Sequence, residues 1–224
     1  GTVPDDGALA EAVRHVDWHA LRLWKTPAAT AAESDADAAT EAVPGFEAAP
    51  EPKACFAQLA DPDAAVDAGG IAKGWIADAL VAAMEAHGLS GTIVNLGGNV
   101  AVSGTKPTGD PWHVGIRDPR DPSQLIGAVP LVAGSAVTSG VYERCFTAPD
   151  GTFYHHILDP RTGRPVETDV AGVTVICEKS IDAEGFSTTL LALGLERGLA
   201  LARRHPEILQ AFFIAPDGTI TNAR

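Results

Sequence analysis

Asp67-Ala-Gly-Gly-Ile-Ala-Lys-Gly-Trp75 crowds a carboxylate, adjacent glycines and a lysine into the opening of a helix. Glycines let backbone approach a ligand, unpaired N–H groups at a helix start attract anions, and lysine adds a full charge. The chemistry is that of a phosphate site. The stretch is neither G-x-G-x-x-G nor G-x-x-x-x-G-K-[ST], so neither nucleotide mechanism transfers to it. A glycine-rich turn into an ordinary amphipathic helix fits the same residues.

Three further groups are candidates. Glu184 and Thr188 stand four apart in a helical pattern, so their oxygens share one face and one turn. A carboxylate beside a hydroxyl suits Mg²⁺, which takes few protein ligands and completes its shell with water and phosphate. Alternatively, Asp182 and Glu184 complement the positive helix start, and Thr188 bonds its own backbone. His155 and His156 end a strand just before Asp159-Pro160-Arg161-Thr162-Gly163. Alternation sends their rings to opposite faces, so one of them can act as acid, base or ligand. A surface imidazole, or one paired with Asp159, is the alternative. Thr138-Ser139-Gly140 offers hydroxyls and N–H groups to an anion, with no Ser-His-Asp spacing around it.

The elements that must position these groups alternate between helices and hairpins. Leu9, Val13, Val16 and Leu21 have roughly helical spacing and lead into a short strand at 21–24. Ile76, Leu80, Val81 and Met84 continue the helix opened by Asp67–Trp75, with Gly88 as its left-handed cap. A strand at 91–96, a turn at Gly97-Gly98-Asn99 and a returning strand at 100–103 form a hairpin. Strands are also predicted at 112–116 and 128–132, on both sides of Pro149-Asp150-Gly151 between 144 and 158, and at 172–177. Ser180 is placed to cap a helix ending at Gly194, a second helix runs from 196 to 204, and Pro216-Asp217-Gly218 turns a final hairpin. Without a βαβ rhythm, the fold class is α+β, with mixed, largely antiparallel sheets and helices packed on them.

The chain has 224 residues, 46% hydrophobic, enough for a sizeable core. Its net charge of −13 argues against nucleic acid or an anionic membrane surface as partner. Between Thr26 and Pro52 lie six acidic residues, no basic ones and four prolines, the signature of a solvated insertion of about 26–52. Residues 1–66 therefore read as a helix and strand segment carrying that insertion, and 67–224 as the core. Cys55, Cys145 and Cys177 have no metal or disulfide spacing, and Cys145 and Cys177 are expected as buried thiols. No apolar run approaches the ~20 residues of a membrane-spanning helix. Gly1-Thr2-Val3-Pro4 carries no leader pattern, so an export signal or lipid anchor would lie outside this sequence.

Taken in order, six segments resemble the ApbE-type flavin transferases, the FAD:protein FMN transferases. They are Asp67-Ala-Gly-Gly-Ile-Ala-Lys-Gly, Val94-Asn-Leu-Gly-Gly98, Trp112-His-Val-Gly-Ile-Arg-Asp-Pro119, Val137-Thr-Ser-Gly140, Tyr154 through Pro165, and Ala183-Glu-Gly-Phe-Ser-Thr188. The resemblance implies a Mg²⁺-dependent enzyme that splits FAD, attaches FMN to a threonine of a target flavoprotein and releases AMP. It implies Gly70, through its carbonyl, with Glu184 and Thr188 as metal ligands. Asp67, Lys73 and Leu158 would lie against FAD, with Thr138 and Ser139 beside them, and His156 would act at the reacting phosphates. It further implies an extracytoplasmic enzyme, meeting a membrane only through a lipid anchor outside this sequence. The family usually carries aspartate at the positions of Glu184 and Asn99 and an acidic residue at that of Val141. Its N-terminal portion, which contributes to the flavin pocket, is expected to have no counterpart before residue 1. An FAD pyrophosphatase and a non-catalytic flavin-binding protein are the alternative readings.

Overall fold

The computed structural model describes residues 3–25 and 55–223, so the acidic stretch 26–52 lies outside the described residues. The chain divides into two compact units, one of Asp5–Val66 and one of residues 67–224 with the first four.

In the smaller unit, α1 (Asp6–Arg14) is capped by Asp5, whose side chain accepts from Ala8 N at 2.8 Å. The helix stops well short of residue 21 and buries no residue, so the apolar spacing between 9 and 21 is not one continuous face. A 3₁₀ turn at Trp18–Ala20 leads to β1 (Leu21–Lys25), which pairs antiparallel with β2 (Cys55–Leu59). Trp24 and Phe56 stack across that pair at 5.4 Å. His15 Nδ1 lies 2.7 Å from Asp61 Oδ2, a hydrogen bond that raises the imidazole pKa and lowers that of the carboxyl.

In the larger unit, α2 (Ala72–Ala86) is followed by the hairpin β3 (Thr92–Asn95) and β4 (Asn99–Ser103). Next come the ribbon β5 (Trp112–Asp118) and β6 (Asp121–Leu131), then β7 (Ala133–Gly140) and the hairpin β8 (Cys145–Thr147) and β9 (Phe153–His155). The chain closes with β10 (Gly172–Cys177), α3 (Ser180–Ala202), β11 (Ile208–Ile214) and β12 (Ile220–Ala223). A six-stranded sheet runs β12-β11-β10-β7-β4-β3, and every pairing in it is antiparallel. The class is α+β.

Alternation along the central strands assigns the two faces. Val137, Val173 and Val175 pack with Leu190 and Leu191 of α3, whereas Val100, Val102, Ala136 and Ile176 pack with Val114, Ile116 and Val129 of the ribbon. Both faces are thus covered, which is why all six residues of β10 are buried and its sequence is almost uninterruptedly apolar. Ala77 of α2 meets Val94 and Ala101, seating that helix on the β3/β4 end of the sheet.

Several expectations are corrected. Strand β7, the partner of both β4 and β10, was not anticipated; Gly134, Ser135 and Ala136 are too small to produce an apolar strand signal. Strand β6 begins at Asp121 rather than 128, its first half being polar and exposed. Cys145 is exposed and donates to Tyr142 O at 3.4 Å, while Cys177 is buried and its thiol is pushed up to about 12 by desolvation. Gly194 does separate two helical stretches: its φ of 75° breaks α3, and Leu195 N donates to Asp169 Oδ1 at 2.8 Å to start the second. Among the described residues, no helix is long and apolar enough to cross a membrane.

Candidate functional site

The cavity is easiest to follow from α2. Its opening turn is tied by Asp67 Oδ1, which accepts from Gly69 N at 2.6 Å, and by Ala68 O, which accepts from Ala72 N at 2.8 Å. The helix start carries no side-chain cap. Lys73, in the first turn, donates to Glu184 Oε1 of α3. Gly74, one residue on, lets the two helices touch: a Cβ there would stand 2.6 Å from Ile181 Cα and 2.6 Å from Ser180 O.

Ser180 does not cap α3. The carboxylate of Asp78 on α2 does, accepting from Ser180 N at 2.7 Å and Ile181 N at 3.0 Å. This frees the Ser180 hydroxyl to donate to Asn99 Oδ1 at 2.8 Å. Asn99, fully buried at the start of β4 rather than in a turn, donates its amide to Glu184 Oε2. Ser135 Oγ lies 3.0 Å from Ser180 Oγ and 2.9 Å from Val100 O, anchoring this chain of bonds in the sheet. Glu184, 5% exposed, is thus held by an ammonium on one oxygen and an amide on the other. A buried carboxylate needs such partners.

Thr188 does not bond its own backbone. Its hydroxyl lies 3.0 Å from Ser139 Oγ, which also meets Ser187 Oγ at 2.9 Å; it is Thr189 that bonds back to Gly185 O. Thr138 pairs with Thr174 Oγ1 at 2.8 Å, and its N–H donates to Gly98 O at 3.1 Å. Gly97 and Gly98, with φ of 63° and 93°, make the turn between β3 and β4 possible there.

The two histidines part as alternation requires. His155 is buried and borders an apolar cavity of about 530 Å³ with Phe153, Val166 and Val170. Its ring is near Val166 O at 3.3 Å, while Asp159 pairs with Arg161 instead. His156 borders a different, polar cavity of about 560 Å³. Desolvation, then the nearby positive charge of Arg144 and more weakly of Lys73, hold its pKa below the ordinary imidazole value. The ring is therefore neutral near pH 7 and able to take a proton.

Asp67, Gly70, Lys73, Thr138, Ser139, His156, Leu158, Glu184 and Thr188 line that one cavity, and of the residues that the sequence marked for chemistry His155 does not. Packing does not demand the glycine at 70, since a Cβ there would meet nothing within 4 Å. Sequence reasoning missed Glu143 and Arg144 on the cavity wall and Asp78 behind it, and read Asn99 only as a turn residue where the family carries aspartate and Ser180 only as a cap.

The profile of the ApbE family matches residues 1–213, starting ahead of Asp67. The chain belongs to the ApbE family. A FAD:protein FMN transferase of Treponema pallidum is 44% identical over 170 residues, covering 71% of this chain and 46% of that protein. One from Klebsiella pneumoniae is 38% identical, over 74% of this chain and 50% of its own length. The chain thus spans about half the length of the curated relatives it matches. Among solved structures, the ApbE protein of Thermotoga maritima superposes with a TM-score of 0.75 at 27% identity, over 100% of this chain and 63% of that one. The flavin transferase ApbE of Vibrio cholerae gives 0.72 at 26%, over 99% and 60%. The six-stranded sheet and the helices that carry Lys73 and Glu184 therefore belong to an ApbE architecture.

Proposed function

We propose that this chain transfers FMN from FAD to a threonine hydroxyl of a target flavoprotein, with Mg²⁺ bound by Gly70, Glu184 and Thr188, and releases AMP. The observation that carries the reading is the convergence of Asp67, Lys73, His156, Glu184 and Thr188 on one polar cavity in a chain whose relatives are named FAD:protein FMN transferases. The cavity shares Gly97, Thr138 and Glu143 with a neighbour of about 610 Å³ lined by Ile93, Val114 and His113. Adjoining polar and mixed compartments suit a dinucleotide better than a single small anion.

The donor set fits Mg²⁺. Carboxylate, hydroxyl and backbone carbonyl are hard oxygens, and the Lys73 ammonium on Glu184 marks the cavity side of that carboxylate as a place for positive charge. The lining holds three carboxylates, Asp67, Glu143 and Glu184, against the cations Lys73 and Arg144. Before any substrate enters it is one negative charge in excess, so a diphosphate needs an added cation. When bound, Mg²⁺ would neutralise the diphosphate and the charge building on the departing AMP phosphate.

The chain's own residues divide the remaining work. Lys73 and the uncapped start of α2 hold phosphate oxygens, and Thr138 and Ser139 border the space beside them. His156 takes the proton of the acceptor threonine on an imidazole nitrogen as that oxygen bonds to the FMN phosphorus. The bond from that phosphorus to the AMP oxygen breaks in the same displacement, so the products are a phosphothreonyl-linked FMN and AMP. Positioning and charge compensation supply most of the rate, as is general for phosphoryl transfer.

The test is mass spectrometry of a target domain incubated with the chain, FAD and Mg²⁺. An added FMN mass is expected with wild type, slowed about 10²–10⁴-fold by His156→Ala. Bound FAD without any adduct would refute transfer. AMP released without an acceptor would instead select the pyrophosphatase reading, and metal-independent FAD binding without turnover the flavin-binding one.

A further inference from the structure

The buried carboxylate of Glu184 has no free oxygen: Lys73 Nζ holds Oε1 and the Asn99 amide holds Oε2. Asn99 cannot yield. It is 0% exposed, and its own carbonyl is fixed by Ser180, whose backbone N–H is in turn held by Asp78. Lys73 can yield. Its side chain is 40% exposed, against 6% for Glu184, and it stands on the first turn of α2 beside the cavity. A metal ion approaching Glu184 Oε1 therefore meets the positive charge of an ammonium already on that oxygen.

We propose that Lys73 and a divalent cation are alternative occupants of the Glu184 carboxylate, so that metal entry expels Lys73 into the cavity, where its charge becomes available to the substrate diphosphate. The proposal rests on the metal reading of the site given above. Its physical basis is that a buried carboxylate keeps a cationic partner in both states, while an ammonium and a divalent cation brought to the same carboxylate oxygen repel one another. The pair thus protects Glu184 before metal arrives, and one positive charge changes function from structural counter-ion to substrate ligand. It also orders binding: metal first, then FAD meeting a released Lys73.

Occupancy by Lys73 weakens metal binding by the fraction of molecules in which the carboxylate is free. If the pair is closed in about nine-tenths of molecules, removing the ammonium tightens binding about tenfold. The experiment measures Mn²⁺ affinity by electron paramagnetic resonance for wild type and Lys73→Gln, both without FAD. In parallel, wild-type lysines are acylated with an N-hydroxysuccinimide ester, with and without saturating Mn²⁺, and quantified by peptide mass spectrometry. Expected are about tenfold tighter Mn²⁺ binding by Lys73→Gln and a several-fold rise in acylation at Lys73, with Lys106 and Lys179 unchanged. Equal affinities of the two chains, or unchanged Lys73 acylation when wild type is saturated, would overturn the exchange while leaving the metal site intact. No Mn²⁺ bound by either chain would overturn the metal site and the exchange together. The acylation arm uses the native chain and stands even if Lys73→Gln does not fold.

Discussion

Replacing Gly74 by alanine adds one methyl group where α2 and α3 touch. That Cβ would lie 2.6 Å from Ile181 Cα, 2.6 Å from Ser180 O and 2.8 Å from Ile181 N, all backbone atoms that no rotamer change can move. Ordinary carbon contacts begin near ~3.5 Å, so the helices must separate by about 1 Å. Asp78 then leaves hydrogen-bond range of Ser180 N and Ile181 N, now 2.7 and 3.0 Å away, and Lys73 draws back from Glu184. Overpacking costs about 1–3 kcal/mol and the lost cap ~1, offset by ~1 from the better helix propensity of alanine. A net loss of about 1–3 kcal/mol lowers Tm by roughly 5 °C in a unit of this size. Transfer should suffer more, because ~1 Å of misplacement at a reacting centre can cost ~10²-fold. Differential scanning fluorimetry and adduct formation followed by mass spectrometry read both effects. Gly185→Ala, on α3 but with nothing within 4 Å of the new Cβ, should match or exceed wild-type stability. A Gly74→Ala chain with unchanged Tm and unchanged transfer would show that this contact does not position the site.

Asp78→Ala leaves the start of α3 uncapped and should cost about 1–2 kcal/mol in urea unfolding; a wild-type midpoint would mean another group caps it. Asn99→Ala strands Glu184 Oε2 in the interior and leaves the Ser180 hydroxyl with Ser135 Oγ as its remaining partner, with an expected loss of about 2–3 kcal/mol by the same measurement. A thiol reagent should modify Cys55 and Cys145 in the native chain and Cys177 only after unfolding; equal native rates for all three would contradict its burial. The acid limb of kcat/KM should lie below pH ~6.5 if His156 is the base proposed above, since it must be unprotonated and its pKa is lowered. The folded state also binds protons at His155 and His156 less readily than the unfolded one does. Their contribution to stability is therefore complete above about pH 6.5 and shrinks as pH falls below it, which acid titration of the unfolding midpoint checks.

Asp67, Gly70, Lys73, Thr138, Ser139 and His156 were legible in the sequence as glycine-rich or polar breaks in the apolar period and Glu184 and Thr188 by their helical spacing, whereas Leu158 followed only from the family resemblance. The network behind them was not legible. Asp78 acts on a residue 102 positions away, Asn99 on one 85 away and Ser135 on one 45 away, so no local window pairs them. Ser180 illustrates the confusion: a serine before an apolar run is a reasonable cap, yet Asp78 offers both carboxylate oxygens and wins the N–H groups. Strand β7 was hidden for the opposite reason. Its small residues are chosen by close sheet packing, which weakens the hydrophobic alternation that announces a strand.

Lys73 and Glu184 lie 111 positions apart and meet only when α2 rests on α3. A ligand that needs both has no counterpart in the unfolded chain, so its affinity counts wholly toward folding: at 100-fold excess over Kd it would add about 2.7 kcal/mol. The cavity is therefore a thermodynamic latch on the core around it, and proteolysis of the larger unit should slow as FAD and metal saturate it.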